Sequence, residues 1–180
     1  MANCPKCSTT GLKHTLISEN LPAHACPECD GLLISLIAYR RWRETHHPAK
    51  GASDQIPQDV AAQDSKEVVS CAKCGGIMTK FRIMADAPNH VDFCAHCEDI
   101  WLDHGEWELI DAMAGADHLN TILTQPWQRR VQSESQDNME RERLSSLLGP
   151  DYDKVAGVKK WLDEHQYRDV IFAYLRRKLH

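Results

Sequence analysis

Eight cysteines are the residues of this 180-residue sequence whose type and spacing could do chemistry, and all of them fall into Cys-x-x-Cys pairs. Eighteen residues separate the first pair from the second, and nineteen separate the third from the fourth. This spacing is typical of Cys4 zinc sites, in which two tight turns bring four sulfurs into a tetrahedron. The sequence therefore predicts two Zn²⁺ ions, one held by the first four cysteines and one by the last four: Cys4, Cys7, Cys26, Cys29, Cys71, Cys74, Cys94 and Cys97.

Three other uses suit cysteines that occur in pairs. Iron in a rubredoxin-like electron-transfer centre suits four sulfurs as well as zinc does. A thioredoxin-like redox pair needs a βαβ pattern, and none surrounds these pairs. Disulfides are rare in reducing compartments, and we expect a cytoplasmic protein, because the sequence starts without a secretory signal. No apolar run approaches the ~18–20 residues that a membrane span needs, so we expect no membrane association.

A metal held by four sulfurs has no open position for a catalytic water, so the predicted sites are structural. Each Cys4 unit has only about 45 residues and cannot bury an adequate core alone. A structural zinc contributes on the order of 10–16 kcal/mol to such a fold. The sequence also lacks a Ser/His/Asp grouping, a Gly-rich phosphate loop and a supported pair of separated carboxylates. We therefore expect no enzyme activity, no catalytic residues and no cofactor besides the two zinc ions.

The two Cys4 units are copies of one another, since a shift of 67 or 68 residues superimposes their cysteines. Each copy predicts a β-hairpin between its two pairs. In the second copy, alternate residues along the outgoing strand are apolar or β-branched, which places them on one side. These residues are Ile77, Thr79, Phe81 and Ile83, with a turn at Ala87-Pro88-Asn89.

A short strand and a short helix are predicted after the hairpin of each copy. In the second copy we expect the strand at Ile100 to Leu102, with Asp103 as the helix N-cap and Glu106 as its capping-box partner. Gly115 is a suitable stop for this helix. Ser35 is the corresponding cap residue in the first copy.

The cysteine spacing of the second copy, followed by Trp101-Leu102-Asp103-x-Gly105-Glu106, resembles the bacterial zf-TFIIB family of zinc ribbons. The resemblance covers residues 70–114 and, more weakly, residues 3–44, which lack the Trp-Leu-Asp-x-Gly-Glu segment. The second copy departs from the family pattern at Asp99 and Trp107. The resemblance implies a zinc-ribbon fold and zinc binding, and it implies no particular activity.

The predicted fold class is a small metal-bound α+β protein, with two zinc ribbons followed by a C-terminal α-helical region. The predicted parts are ribbon 1 at 1–48, a flexible linker at 49–69, ribbon 2 at 70–116 and the helical region at 117–180. The sequence does not decide whether the two ribbons pack together. In the helical region we expect helices at 126–148, from 151 to about 165, and after 167. The last helix has an apolar face of Tyr167, Val170, Ile171, Tyr174 and Leu175.

Charge is the test of a nucleic-acid partner, because phosphate attraction dominates such binding. Residues 71–125 carry three basic and nine acidic groups, and we interpret the acids from Glu98 to Asp111 as an acidic surface. Direct nucleic-acid binding by ribbon 2 is therefore disfavoured. The basic runs at 40–43 and 176–178 are interpreted as solvated helix ends. His96, inside the fourth pair, is interpreted as a neighbour of the metal and not a ligand.

The function predicted from these observations is a non-enzymatic zinc protein that binds a protein partner through its acidic helix and its amphipathic tail. Nucleic-acid or transcription-complex binding is the first alternative, and electron transfer by iron is the second. The sequence does not predict the identity of the partner or the oligomeric state.

Overall fold

The computed structural model describes residues 2–8, 11–46, 64, 67–113 and 118–177. The chain forms two compact units, Met1–Ser135 and Gln136–His180. Most of the predicted linker at 49–69 and the predicted helix stop Gly115 lie outside the described residues. Within the described residues, no helix is both long enough and apolar enough to cross a membrane.

One antiparallel sheet of six strands contains both copies of the repeat. The first copy supplies β1 (Lys13–Ile17), β2 (Leu21–Ala25) and β3 (Leu32–Ser35). The second copy supplies β4 (Thr79–Arg82), β5 (His90–Cys94) and β6 (Asp99–Leu102). The strand order is β1-β2-β3-β6-β5-β4, so each copy is a three-stranded meander and the last strands of the two copies pair with each other. The two copies therefore share one sheet, which the sequence left undecided.

The pairing of β3 with β6 forms a seam that relates the two copies by a local two-fold axis. Leu33 lies opposite Trp101, its own equivalent under the shift of 68. Leu32 lies opposite Leu102, and Ile34 lies opposite Ile100. Leu32 thus faces the equivalent of Ile34, and Ile34 faces the equivalent of Leu32, so the contact is self-complementary in the way that a symmetric dimer interface is.

Six α-helices and one 3₁₀ helix (Gly149–Asp151) lie in the described part of the chain besides the sheet, and they confirm a small α+β fold. The α-helices are α1 (Leu36–Thr45), α2 (Glu106–Asp111), α3 (His118–Ile122), α4 (Gln125–Leu148), α5 (Tyr152–Asp163) and α6 (Arg168–Leu175). The three predicted C-terminal helices correspond to α4, α5 and α6. The sequence analysis missed α3, although its Leu119 and Ile122 are fully buried.

The two faces of the sheet are buried against different partners, because side chains alternate along each strand. Ile34, Ile100 and Leu102 face a core that also holds apolar side chains of α1, α2 and α3. Leu33 and Trp101 point the other way, into a second core. That second core contains the buried cysteines of both copies, namely Cys4, Cys26, Cys71 and Cys94. The seam therefore stands between the two cysteine clusters.

The helix after β6 differs from its prediction in where it begins. It begins at Glu106, and its N-cap is Gly105, whose φ of 83° lies in the left-handed region that favours glycine. Asp103 is therefore not the N-cap. Its carboxylate instead accepts a hydrogen bond from the indole of Trp101 at 3.1 Å. The predicted cap Ser35 does precede α1, but its side chain makes no capping hydrogen bond.

The predicted apolar side of the outgoing strand in the second copy is correct only at its end. Ile83 is fully buried and Phe81 is half-buried, whereas Ile77 is 77 % exposed. Met78 takes its place in the core beside the second cysteine cluster. The period-two pattern failed at Ile77 because β4 begins only at Thr79, after an isolated bridge between Ser70 and Ile77.

The side chain of Gln128, at the start of α4, covers the edge strand β4. Its Oε1 accepts from the backbone N–H of Arg82 at 3.0 Å, and its Nε2 donates to the carbonyl of Arg82 at 2.9 Å. Nε2 also donates to the carbonyl of Ile122 at 2.8 Å. The amide therefore pairs with the edge as another strand would, which protects it from association with other chains.

Replacing Gln128 with alanine should lower the free energy of unfolding by about 1–3 kcal/mol, because part-buried backbone groups lose their partners. Urea unfolding monitored by Trp fluorescence measures the change. Gln132→Ala is the matched control, since Gln132 is exposed on the same helix. Equal stabilities of the two variants would contradict the role assigned to the Gln128 amide.

The second unit differs from the first in having no core of its own. None of the described residues from 136 to 177 is buried. Ten of the fourteen exposed large apolar side chains in the described residues belong to this segment. Its helices therefore present apolar surface that no other part of the unit covers.

Candidate metal centres

The four Cys-x-x-Cys turns share one backbone geometry. In each turn, the N–H of the residue that follows the second cysteine donates to the carbonyl of the first cysteine, at 2.8 to 3.0 Å. That following residue also has a positive φ, between 52° and 71°. The four residues are Ser8, Asp30, Gly75 and Glu98. Only Gly75 and Asp30 are of types that favour this conformation, so the tertiary fold imposes it on the other two.

Each turn places its first cysteine in the core and its second nearer to solvent. The first cysteines are all buried, whereas Cys7, Cys29 and Cys97 are half-buried and Cys74 is exposed. Backbone N–H groups within the turns also donate to sulfur, from Cys7 to the Sγ of Cys4 at 3.2 Å and from Cys97 to the Sγ of Cys94 at 3.4 Å. Such bonds stabilise thiolates.

The sulfurs form two groups of four, and each group has the dimensions of a tetrahedral metal site. The Sγ atoms of Cys4 and Cys29 are 3.7 Å apart, and those of Cys7 and Cys26 are 3.9 Å apart. In the second group, the Sγ atoms of Cys74 and Cys94 are 3.6 Å apart. A tetrahedron with metal–sulfur bonds of about 2.3 Å has edges of about 3.8 Å. The donor set and the spacing therefore both fit a metal ion.

All eight cysteines lie in the described residues and are free thiols, so the disulfide alternative does not hold in this structure. Within each group, the ligand atoms all lie within 4.8 Å of one another. The structure thus brings together the cysteines that the sequence assigned to each site. His96 is exposed and belongs to neither group, in agreement with its interpretation as a neighbour.

The thiols within one group have different proton affinities. The backbone N–H of Gly76, with hydrogen bonds from the neighbouring sulfurs, lowers the pKa of Cys74 to about 7. Burial raises the pKa of Cys97 to about 12 and that of Cys29 to about 11. Without metal, Cys97 and Cys29 therefore keep their protons at neutral pH. Metal binding must displace those protons, so affinity should rise with pH.

Lysines at equivalent positions in two of the turns form ion pairs with buried carboxylates. Lys6 lies 3.5 Å from the carboxylate of Asp103, and Lys73 lies 2.8 Å from that of Asp99. The first ion pair joins the two copies, since Lys6 belongs to the first copy and Asp103 to the second.

The predicted acidic surface of the second copy is wrong for half of its members. Asp99, Asp103 and Glu106 are 0, 4 and 1 % exposed, so these three acids form part of the interior. The acids that remain at least partly accessible are Glu98, Glu108 and Asp111. The prediction failed because it treated acidic residues as solvated, whereas Lys73 and Lys6 pair with Asp99 and Asp103, and backbone N–H groups donate to Glu106.

The buried carboxylate of Glu106 accepts hydrogen bonds from the backbone at the start of β5 and just after β6. Its Oε2 accepts from the backbone N–H of Asp103 at 2.8 Å, which is one half of the predicted capping box. Its Oε1 accepts from the backbone N–H of His90 and the side-chain amide of Asn89, at 3.3 and 3.4 Å. Burial raises the pKa of Glu106 from 4.5 to about 8, although the bond from Asp103 opposes this shift.

Glu106 should make stability fall as the pH rises from about 5 to 8. The unfolded chain releases this proton near its ordinary pKa, whereas the folded chain keeps it until about pH 8, so folding binds a proton in this window. The difference in unfolding free energy between the native chain and Glu106→Gln should therefore shift in favour of the variant as the pH rises. Contributions from metal binding cancel in this difference. Urea midpoints at several pH values test this, and a constant difference would contradict it.

The fold and the two sites together define a small α+β protein with two Cys4 clusters that could bind metal. Comparisons with protein-family models, curated proteins and solved structures returned no match.

Proposed function

We propose that the chain is a zinc protein in which each Cys4 cluster holds one structural Zn²⁺. The observation that carries this proposal is the separation of the sulfurs, 3.6 to 3.9 Å, which matches tetrahedral zinc–thiolate geometry. With four sulfurs present, each zinc would cross-link two turns and have no position open to a substrate. Each three-stranded meander with its two turns is then a zinc ribbon, and each ion holds the two turns of its copy together.

Membership of the zf-TFIIB family is also part of the proposal. The residues that carry the resemblance have structural roles in the second copy. Trp101 lies in the seam, Asp103 accepts from its indole, and Gly105 has a positive φ before α2. The Glu106 carboxylate ties α2 to β5 and β6. These roles explain why such a motif would follow the last cysteine pair of a ribbon.

We further propose that the protein is cytoplasmic, is not an enzyme and binds another protein. The buried acids of the second copy cannot serve as a docking surface. The proposed interaction surface is therefore the amphipathic tail, which comprises α5 and α6. Trp161, Val170 and Tyr174 are 52, 67 and 69 % exposed there. Exposed apolar surface of this extent in a folded protein is typical of protein-binding sites.

Metal content of the purified chain tests the first part of the proposal. We expect two zinc ions per chain and a colourless protein. A red protein that contains iron would instead support a rubredoxin-like iron centre in place of zinc. A salt-dependent shift of DNA or RNA would instead support nucleic-acid binding. Specific turnover of a substrate would overturn the assignment as a non-enzyme.

A further inference from the structure

The second unit contains a groove between α5 and α6 that no part of the unit fills. The groove has a volume of about 460 Å³, and its apolar lining consists of Val155, Val158, Leu162 and Phe172. Val155, Val158 and Phe172 are each about half exposed. Forty-odd residues without a buried side chain are too few to fold alone, and association with another chain is the usual remedy.

The same unit also presents a helix face that fits such a groove. Tyr167, Val170, Tyr174 and Leu175 are spaced as one helical stripe along α6, and they are 58 to 69 % exposed. The eight residues of α6 span about 12 Å, and the groove from Val155 to Asp163 along α5 spans about the same length. An amphipathic helix that enters a groove is a common mode of recognition.

The charge of the unit is compatible with a second copy as the partner. Residues 136–180 carry nine basic and eight acidic groups, a net charge of only +1, so two such units repel each other little. The charged rim of the groove is also balanced, with two cations and two anions: Lys159, Arg168, Asp163 and Asp169. A nucleic acid or an anionic lipid surface would favour a strongly positive unit, with a cluster of basic side chains.

The exposed apolar area is sufficient for a stable dimer. Eight side chains at 48 to 69 % exposure lie on α5, α6 and the residue before α6. Since an aromatic side chain presents about 150–250 Å² in full, together they offer on the order of 600–700 Å² per chain. A standard interface takes about 800 Å² per partner, including its polar rim.

We propose that the chain self-associates through this unit, with α6 of each copy docked in the α5–α6 groove of the other. The inference rests on the proposed function in that it names the partner of the tail, a second copy of this chain. Two copies related by a two-fold axis would make this contact twice, as in other symmetric dimers. The apolar residues of the two units would then form the core that one unit lacks.

Sedimentation equilibrium of the full-length chain with zinc tests the proposal. We expect a mass of twice 20.5 kDa at micromolar concentration. Val170→Lys/Tyr174→Lys should raise the dimer dissociation constant by about 30-fold or more, as loss of anchoring residues does. Met139→Lys is the matched control, because Met139 is 67 % exposed in the same unit but does not line the groove. It should leave the dimer unchanged.

A mixing experiment separates docking in the groove from a general loss of structure. Val158→Asp alters the groove and leaves α6 intact, so neither it nor the α6 double variant should form a homodimer. A mixture of the two should form a heterodimer, because one native α6 still meets one native groove. A monomeric native chain, a dimer that survives the α6 substitutions, or a mixture without heterodimer would overturn the proposal. Zinc content is measured on the same samples, so failure of self-association is distinguishable from failure of the proposed metal sites.

Discussion

Substitution of Cys94 and Cys97 with serine is expected to reduce the zinc content from two ions to one and to unfold the second ribbon. The two cysteines supply half of the second site, and Cys71 and Cys74 alone cannot hold zinc tightly. A structural zinc contributes on the order of 10–16 kcal/mol, whereas a whole domain is stable by only about 5–15 kcal/mol. Without the ion, the second ribbon therefore has no net stability.

The same double substitution should also weaken the first ribbon, although it leaves the first four cysteines intact. The last strand of the first ribbon pairs with β6, and Leu33 packs in the same core as Trp101. Unfolding of β6 exposes both. Zinc analysis by mass spectrometry and amide hydrogen exchange measure the two effects. Cys4→Ser/Cys7→Ser is the reciprocal control, and retention of two zinc ions by either variant would refute the assignment of ligands.

Substitution of Gly31 with alanine should destabilise the seam by about 1–3 kcal/mol or more, since it overpacks a buried site. A Cβ at Gly31 would lie 2.8 Å from Cη2 of Trp101, and closer still to Cζ2. The indole cannot move aside readily because Trp101 is fully buried and donates to Asp103. Gly11→Ala is the matched control, as no atom lies within 4 Å of a Cβ at that position.

A second substitution tests whether the loss of stability in Gly31→Ala arises from contact with the indole of Trp101. Leucine occupies the position equivalent to Trp101 in the first copy, at Leu33. Trp101→Leu alone should cost about 2–4 kcal/mol, because it leaves part of the indole volume empty. In the Gly31→Ala background it should cost at least about 1 kcal/mol less, since the introduced methyl group fills that volume. Urea unfolding at constant zinc concentration measures all four proteins, and additive costs would contradict the contact.

Local signals in the sequence were sufficient to predict the elements that carry the cysteines. Two pairs of cysteines at this spacing favour tight turns, Pro126 and Gly149-Pro150 bound α4, and apolar spacing marks α5 and α6. The turn residues Ser8 and Glu98 were not predictable in this way, because neither type favours a positive φ. Their conformation follows from the need to aim two sulfurs at one point.

Features that depend on contacts distant in sequence could not be predicted. Lys6 pairs with Asp103, 97 positions away, and this pairing makes a buried carboxylate tolerable. The sequence does contain one signal of the contact between the two copies at the seam. Position 31 has glycine where the second copy has Asp99, and position 101 has tryptophan where the first copy has Leu33. The large side chain thus faces the small one, an exchange of volume that indicates contact between the copies.

The two-fold relation across the seam has a consequence for how the sheet assembles. Two strands whose equivalent residues face each other could equally pair between separate molecules. The strands of the seam, β3 and β6, belong to one continuous chain. The effective concentration of one strand near the other is therefore about millimolar or above, whatever the protein concentration in solution. Covalent connection therefore makes closure of the sheet insensitive to dilution. It also creates the possibility of domain swapping, in which β6 of one molecule pairs with β3 of another when the chain is refolded at high concentration.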